Sequence, residues 1–549
     1  MRARPMPVLR LCDGKGRHLL HQVARVAAGL SLALCVLLRM WSPGRIGIGQ
    51  DEAQFLNVAS LPSVQGIIGF LYAHESHPPL FYLIAHFCQV AGLPVPEVMS
   101  LLTLLASVGT IAAAWWLASL SRLRGAGICS ALVVGSSLPL IFYSVQLRPY
   151  ALVSLLMLVS VVAMVKGLHP QSRTWRAIWA VSLLALLYTH HLGIIAAAAE
   201  TAALLVVGIR TETLTHIARS WMGWWCAVAL LSLPDALMTW HQSQVAGYAM
   251  GSAVNVFDPA RQFLVLCWTY PAEILVSVMA AVAILRQWKG SSAMESADPL
   301  AGVLGTTLAV FLLLLFLAAH HSALLVAHVV LAVAPLGAAA VGVVLAGSFS
   351  RGRRIAAAIW LELLVVSIVV ECVQGVGFAK TNIDLTGAYI NAEAVRGDVV
   401  LVASGAIATS LNRQIRTSVT HLDYPLLGTA GAFPFDHEFE RMADLGPLRA
   451  TLDTIASACR AGRRVWFVSG AAWTLTAPVP LVLERDEFDT YIRPSWARAS
   501  YLYQSLIALY GHASDGSPST FEQHGMEMVR WMRFGPAARP GAGAPWCRM

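Results

Sequence analysis

Two adjacent carboxylates, Asp51 and Glu52, follow the first apolar stretch of the chain, in the run Gly-Ile-Gly-Gln-Asp-Glu-Ala-Gln-Phe. The glycines before them and the residues after them predict a turn into an interfacial helix. The dipole at a helix N-terminus stabilises the ionised form of a carboxylate there. An ionised and positioned carboxylate can act as a general base toward a hydroxyl. The alternative for this pair is an ordinary solvated loop.

Histidine and proline come next, in the run His74-Glu75-Ser76-His77-Pro78-Pro79. The two prolines stiffen the chain and predict an extended conformation at His77. A zinc site is one alternative, but the spacing differs from a helical H-E-x-x-H motif and no fourth ligand follows nearby. We therefore interpret His77 as a contact for a phosphate or a hydroxyl, and we predict no metal ligands here.

Arg148 lies between two apolar stretches, in the run Tyr143-Ser-Val-Gln-Leu-Arg-Pro-Tyr150. An arginine costs about 2.5–3.5 kcal/mol at mid-membrane and less near the interface. It can reach toward lipid headgroups, or it can bind a phosphate through two parallel N–H groups. His190 and His191 end another apolar stretch at the same predicted level and add donors to this cluster.

The elements that must position these residues are membrane helices. Apolar residues make up 57% of the 549-residue chain, charged residues make up 12%, and the mean hydropathy is +0.64. Soluble domains carry about 25% charged residues. Uncharged apolar runs of about 20 residues recur along the sequence, which excludes a disordered chain, collagen and a compact soluble enzyme. The predicted fold class is an α-helical polytopic membrane protein with about 11–13 transmembrane helices.

The distribution of charge predicts the orientation. Residues 378–549 carry 16 basic and 16 acidic residues, so the net charge of +8 falls in residues 1–377. Basic residues there cluster in five short connections, which the positive-inside rule assigns to the cytoplasm. This accounts for the basic balance without a nucleic-acid partner. The five connections contain Arg122/Arg124, Lys166/Arg173/Arg176, Arg210/Arg219, Arg286/Lys289 and Arg351/Arg353/Arg354.

Eleven spans connect these loops, with the N-terminus in the cytoplasm and the candidate residues outside. The first span has no A-x-A cleavage site after it and is predicted to stay uncleaved. The segment Pro79–Gly92 is too short to cross and is predicted to be an interfacial or re-entrant helix. The spans are expected at about 26–41, 98–120, 126–143, 150–165, 177–189, 191–209, 221–239, 262–285, 299–319, 322–347 and 354–376.

Residues 378–549 follow a different pattern. The runs Asp398-Val-Val-Leu-Val-Ala and Arg464-Val-Trp-Phe-Val-Ser are short, rich in β-forming residues and followed by small-residue turns. They predict a C-terminal extracytoplasmic α/β domain at 378–549 after a transmembrane domain at 1–377. It has no G-x-G-x-x-G motif or P-loop that would mark a nucleotide site. Cys459 and Cys547 could pair in such a compartment.

The candidate motifs, taken in order, resemble those of a known family. Asp51-Glu52, His77-Pro-Pro-Leu-Phe-Tyr-Leu, Tyr143-Ser-Val-Gln-Leu-Arg-Pro-Tyr-Ala-Leu and Tyr188-Thr-His-His-Leu-Gly resemble those of lipid-dependent GT-C glycosyltransferases. The similarity is to glycosyltransferase family 39, which includes protein O-mannosyltransferases and lipid A aminoarabinose transferases. It covers roughly residues 25–340.

The resemblance implies a GT-C fold in the bacterial inner membrane and an enzyme working on its extracytoplasmic face. Such an enzyme takes a sugar from a polyprenyl-phosphate donor and transfers it to a lipid, glycan or protein acceptor. Asp51 would be the base, with Glu52 beside it. His77 and Arg148 would face the carrier phosphate, with Tyr150, His190 and His191 completing the binding site. No cofactor is implied, and a divalent cation is left open because metal dependence varies among GT-C enzymes.

Three departures from the family pattern concern donor-recognition positions. Gln146 stands where the family usually has an acid, no basic residue occurs around Val98–Ser100, and His328-Val329 stands where relatives often have Arg-Tyr. Two other classes stay as alternatives. A transporter would keep ionisable residues at mid-membrane, for which Glu200, Glu362 and Glu371 are the only hints. A lipid-linked glycan ligase or polymerase of another fold would carry its large loops later in the chain.

Overall fold

The structure is a computed structural model that describes most of the chain in separate ranges. The described residues are 26, 29–37, 39–40, 48–75, 77–121, 123–169, 171–254, 299–319, 330–350, 381–403, 405–425, 431–432, 438–470, 492–511, 515–516 and 529–535. Several predictions lie outside these ranges. They are the spans at 262–285 and 354–376, the domain boundary at 377, His328-Val329, Glu362, Glu371 and Cys547 with its pairing to Cys459.

The N-terminal part of the described chain is helical, beginning with residues 29–37 and 39–40 of the first predicted span. Four helices are long and apolar enough to cross a membrane, at Val95–Ser119, Tyr150–Gly167, Leu192–Arg210 and Leu214–Gln242. The predicted polytopic helical fold is therefore confirmed. The helices are α1 (Gln50–Ala59), α2 (Val64–His74), α3 (Leu80–Val90), α4 (Val95–Ser119), α5 (Ala126–Ser136), α6 (Leu138–Phe142), α7 (Tyr150–Gly167), α8 (Arg173–Leu187), α9 (Leu192–Arg210), α10 (Leu214–Val254), α11 (Pro299–Ala319) and α12 (Val330–Ser350).

The predicted span at 126–143 is broken near its outer end. Helix α5 stops at Ser136, and α6 and a 3-10 turn at Tyr143–Val145 follow. Proline has no N–H, so Pro139 cannot donate to the carbonyl of Gly135 four residues earlier. The buried Arg39 of the first span takes this carbonyl instead, with Nη1 at 2.6 Å, and its Nη2 donates to Val134 O at 3.1 Å. The carbonyl groups at this break are therefore bound by an arginine of another helix.

Helices α4 to α12 pack around one apolar core. Trp179 and Trp221 are its largest buried side chains, with ring centroids 5.1 Å apart. The buried carboxylate of Glu200 accepts from Ser160 Oγ and Trp179 Nε1, both at 2.6 Å. A buried carboxyl group requires hydrogen-bond partners, and Glu200 has two within the bundle.

The C-terminal part is a five-stranded sheet in the order β2-β1-β3-β5-β4. Strands β1, β2 and β3 are parallel, while β5 is antiparallel to β3 and to β4. The predicted runs at 398 and 464 form β1 and β3. The elements are α13 (Ile383–Glu393), β1 (Val399–Val402), α14 (Gly405–Gln414), β2 (Thr420–Asp423), α15 (Glu438–Ala443), α16 (Leu445–Arg460), β3 (Val465–Gly470), α17 (Ile492–Tyr510), β4 (Asp515–Gly516) and β5 (Val529–Phe534).

Helices cover both faces of this sheet, as parallel strands require. One apolar cluster joins Val400 and Val468 to residues of α13 and α14, including Leu411. The other cluster joins Leu401 and Phe467 to residues of α16 and α17. Alternate side chains along each strand therefore point to opposite layers.

Helix α14 of this domain packs directly on α1. Asn57 of α1 is buried, and its Nδ2 donates to Gly431 O at 2.8 Å. Its Oδ1 accepts from Arg413 Nη1 at 2.7 Å. Ser410 Oγ also donates to Ile48 O, just before α1. The helix that begins at the two candidate carboxylates is therefore fixed from the C-terminal side as well as from the membrane side.

Candidate functional site

Asp51 and Glu52 occupy the first turn of α1, as the sequence predicts, but their surroundings differ. Glu52 is buried, and its Oε2 accepts from Gly49 N at 2.8 Å, closing the N-terminus of the helix. Its Oε1 accepts from Leu147 N, also at 2.8 Å, so it holds the Arg148 loop. The Asp51 side chain is 55% exposed. Only Asp51 is accessible to a substrate hydroxyl on the water side.

Arg148 lies behind Asp51 with its side chain only 7% exposed. Its Nη2 is 3.7 Å from Asp51 Oδ2, and its Nη1 donates to Asp51 O at 3.4 Å. Burial alone would lower the pKa of Arg148, but the charges of Asp51 and Tyr150 raise it well above its ordinary value. Arg148 is therefore a permanent buried cation. Its Nε has no hydrogen-bond partner among the described residues.

His77 lies between a carboxylate and this guanidinium. Its Nδ1 is 2.9 Å from Glu75 Oε1, and its Nε2 is 3.4 Å from Arg148 Nη2. A guanidinium has no acceptor, so the second contact is a hydrogen bond only when Nε2 is unprotonated and Nδ1 carries the proton. His77 therefore joins Glu75 to the Arg148 guanidinium in one chain of polar contacts.

Two further predicted residues border the same space, and a third lies at its edge. The His190 ring centroid is 6.0 Å from that of His77 and 6.0 Å from that of Tyr150. His191 lies at the edge, 6.4 Å from His190, with its Nδ1 3.1 Å from Thr239 Oγ1 on α10. The structure thus brings six of the seven predicted residues together and directs His191 toward α10.

The turn that carries these histidines is tight. A Cβ at Gly193 would lie 2.7 Å from Leu187 Cα, so only glycine allows α8 and α9 to approach so closely. The turn also reaches the His77 segment, because Leu80 N donates to Tyr188 O at 2.9 Å. Gln242 of α10 completes this frame by donating to Leu71 O at 2.9 Å and to His77 O at 3.3 Å.

Sequence reasoning missed two side chains of the site, Glu75 and Tyr82. Glu75 lies within the motif of His77, and its contact depends on a fold of the chain that residue types alone do not fix. Tyr82 is in the buried face of α3, where a tyrosine is indistinguishable in the sequence from an ordinary core aromatic. Its buried hydroxyl, which is without a hydrogen-bond partner in the described part of the chain, distinguishes it.

A divalent cation, which the resemblance leaves open, has no ready set of ligands in the described part of the site. In the described ranges, no three His, Cys, Asp or Glu side chains are grouped as metal ligands would be. The Arg148 guanidinium lies 3.4 Å from His77 Nε2 and 3.7 Å from Asp51 Oδ2, where it would repel a second cation.

No protein-family model matches the sequence, and no curated protein is significantly similar to it. Among solved structures, the oligosaccharyltransferase of Archaeoglobus fulgidus in complex with zinc and sulfate is similar at a TM-score of 0.50 and 9% identity. The similarity covers 80% of this chain and 68% of that chain. This chain has the GT-C fold.

ArnT from Cupriavidus metallidurans bound to undecaprenyl phosphate is 14% identical to this GT-C chain, with a TM-score of 0.35. The match covers 80% of this chain and 92% of ArnT. The GT-C fold expected from the order of the motifs is confirmed. The roles of the individual residues in this GT-C chain stay predictions.

Proposed function

We propose that this chain is an integral membrane glycosyltransferase. It transfers a sugar from a polyprenyl-phosphate donor to a hydroxyl of an envelope lipid, glycan or protein, on the extracytoplasmic face of the bacterial inner membrane. The observation that carries the proposal is the pairing of a buried Arg148 with a half-exposed Asp51 at the start of α1, 3.7 Å apart, in a GT-C fold. An oligosaccharyltransferase with this fold supports glycosyl transfer as the reaction class.

The difference in side-chain exposure supports different substrates for Arg148 and Asp51. The Arg148 side chain is 7% exposed, and it offers a permanent positive charge inside the protein. The Asp51 side chain is 55% exposed, and an acceptor can reach it from water. We therefore place the carrier phosphate on the Arg148 side and the acceptor hydroxyl on the Asp51 side.

The chemistry follows from these positions. The bond between sugar C1 and the phosphate oxygen breaks, and the phosphate monoester stays on the lipid. The acceptor oxygen forms the new bond to C1, and its proton passes to Asp51. A base in this role contributes about 10²–10⁴-fold to the rate. Arg148 stabilises the charge that develops on the leaving phosphate. Attack opposite the leaving group inverts the anomeric centre.

The experiment that tests this proposal compares envelopes by mass spectrometry. A deletion strain should lack a sugar on one envelope glycolipid or glycoprotein. Expression of the wild-type protein should restore it, and Asp51→Asn should not. Asp453→Asn is the matched control because Asp453 is exposed on α16, outside the site, and it should restore the sugar fully. An unchanged envelope in the deletion strain, or full restoration by Asp51→Asn, would contradict the proposal.

A further inference from the structure

Tyr82 is the feature of the site that the proposed reaction leaves unexplained. Its ring packs on Phe55, with centroids 5.2 Å apart, and Phe55 is one helical turn after Asp51 on α1. Tyr82 as a whole is 2% exposed. The hydroxyl is nevertheless without a hydrogen-bond partner among the described residues. A buried hydroxyl left unpaired costs about 1–3 kcal/mol, so such groups usually have a ligand or water partner.

A second unpaired group lies on the Arg148 loop. The Nε of Arg148, also buried, has no partner in the described part of the chain. Tyr82 packs in the same buried apolar cluster as Leu147, the residue before Arg148, so its ring lies beside the Arg148 loop. The other two nitrogens of Arg148 face Asp51 and His77. Arg148 Nε and the Tyr82 hydroxyl are therefore two unpaired polar groups in this part of the site, among the residues that the structure describes.

The chemistry of these groups identifies what they would bind. Arginine Nε can only donate, and a tyrosine hydroxyl can donate as well as accept. Two buried donors in one part of the site require an acceptor oxygen, and near a permanent cation that oxygen is best an anionic one. Phosphate oxygens meet both requirements.

We infer that Tyr82 is a ligand of the carrier phosphate, donating its hydroxyl to one phosphate oxygen while Arg148 Nε donates to the phosphate group. The inference rests on the proposed function, because it names a further contact in the same site. Tyr82 touches the substrate directly and is fixed by Phe55, so it also links the position of the phosphate to the helix that begins at Asp51.

The test is a phosphate titration of purified full-length wild type, Tyr82→Phe and Tyr188→Phe, with a long-chain polyprenyl phosphate in one arm and inorganic phosphate in the other. The Tyr82 hydroxyl has no partner in the described protein, so Tyr82→Phe should keep the wild-type melting temperature. It should weaken polyprenyl phosphate binding about tenfold or more, since a hydrogen bond to a charged ligand is lost.

Tyr188→Phe is the control, because the Tyr188 hydroxyl donates to Leu231 O at 2.7 Å within the protein. It should lower the melting temperature and leave phosphate affinity unchanged. Wild-type affinity in Tyr82→Phe, or a melting temperature lowered as in the control, would overturn the inference. A different result would separate the inference from the proposed function. If wild type binds inorganic phosphate more tightly than Tyr82→Phe does, but does not bind polyprenyl phosphate, the phosphate site is supported and the proposed function is overturned.

Discussion

Glu52 and Asp51 are adjacent in the sequence, yet one is enclosed and the other faces water. Glu52 accepts two backbone N–H groups, from Gly49 and Leu147, and so joins the start of α1 to the Arg148 loop. Residue types alone cannot separate the two carboxylates, so both are catalytic candidates in the sequence. The hydrogen bonds favour Glu52 as a positioning residue.

Glu52→Gln should therefore act on stability first. The amide can accept only one of the two backbone N–H groups and turns its NH₂ toward the other. Bonds to a charged acceptor contribute about 1.5–3 kcal/mol, so the melting temperature should fall by several degrees. We expect the variant that still folds to keep polyprenyl phosphate affinity within severalfold of wild type. Unchanged melting temperature with abolished turnover would instead assign Glu52 to the chemistry.

Arg148 offers a sharper test because its substitutions separate charge from geometry. Loss of a charged hydrogen bond in a buried site should weaken polyprenyl phosphate binding about 10–150-fold in Arg148→Ala. Arg148→Lys should recover only part of this, since an ammonium cannot reproduce the planar fork. Titration of polyprenyl phosphate without sugar measures both. If Arg148 merely reaches the lipid headgroups, Arg148→Ala should bind polyprenyl phosphate almost as tightly as wild type does.

Asn57 shows how the C-terminal domain takes part in the site. It joins α1 to Arg413 of α14 and to the carbonyl of Gly431. Gly431 has φ +75°, a left-handed conformation that favours glycine, and a Cβ there would lie 3.4 Å from Asn57 Nδ2. The contact therefore needs a specific backbone conformation as well as the asparagine.

Asn57→Ala should loosen α1 without unfolding the C-terminal sheet. Hydrogen exchange should rise in both α1 and α14, and the transfer rate should fall. Asn391→Ala is the matched control, because Asn391 also joins two backbone segments, donating to Gln414 O and accepting from Arg416 N, but it does not touch α1. Asn391→Ala should raise exchange in α13 and α14 alone. If both variants raise hydrogen exchange in α1 equally, Asn57 has no specific role in holding α1.

The broken span near Ser136 marks what the sequence could and could not predict about the elements. Periodicity and length predict where apolar helices lie, and the spans at 150–165 and 191–209 match α7 and α9 closely. Pro139 indicates a break, but its position depends on Arg39, which is 96 residues from Gly135 in the chain. The same limit applies to Tyr82 and to the contact between His77 and Arg148, since neither is determined by local sequence.

The charge pattern of the whole chain predicts which side of the membrane the site faces. The positive-inside rule places Lys166, Arg173 and Arg176 in the cytoplasm and the C-terminal sheet outside. We expect an impermeant maleimide to label Ser457→Cys in intact cells of a cysteine-depleted background, and to label Thr174→Cys only after lysis. Both positions are exposed in the structure. The reverse pattern would invert the topology and remove the extracytoplasmic reaction.

A transporter would need ionisable groups free to exchange partners along a pathway. Glu200, the only one of the three membrane carboxylates in the described residues, is instead held by Ser160 and Trp179 in a packed core. The residues that meet at a water-accessible face are those around Asp51. The arrangement of the described chain therefore favours chemistry at that face over transport through the bundle.

The most direct measurement is transfer by purified protein from labelled polyprenyl-phosphate sugars to the envelope fraction of the deletion strain. Wild type should release polyprenyl phosphate and label the acceptor. Asp51→Asn keeps the side-chain volume but removes the base, so it should transfer less than about a tenth as much while binding polyprenyl phosphate normally. Asp51→Asn that retains more than about a tenth of wild-type transfer would contradict the assignment of the base. No transfer by wild type from any such donor would contradict the proposed reaction itself.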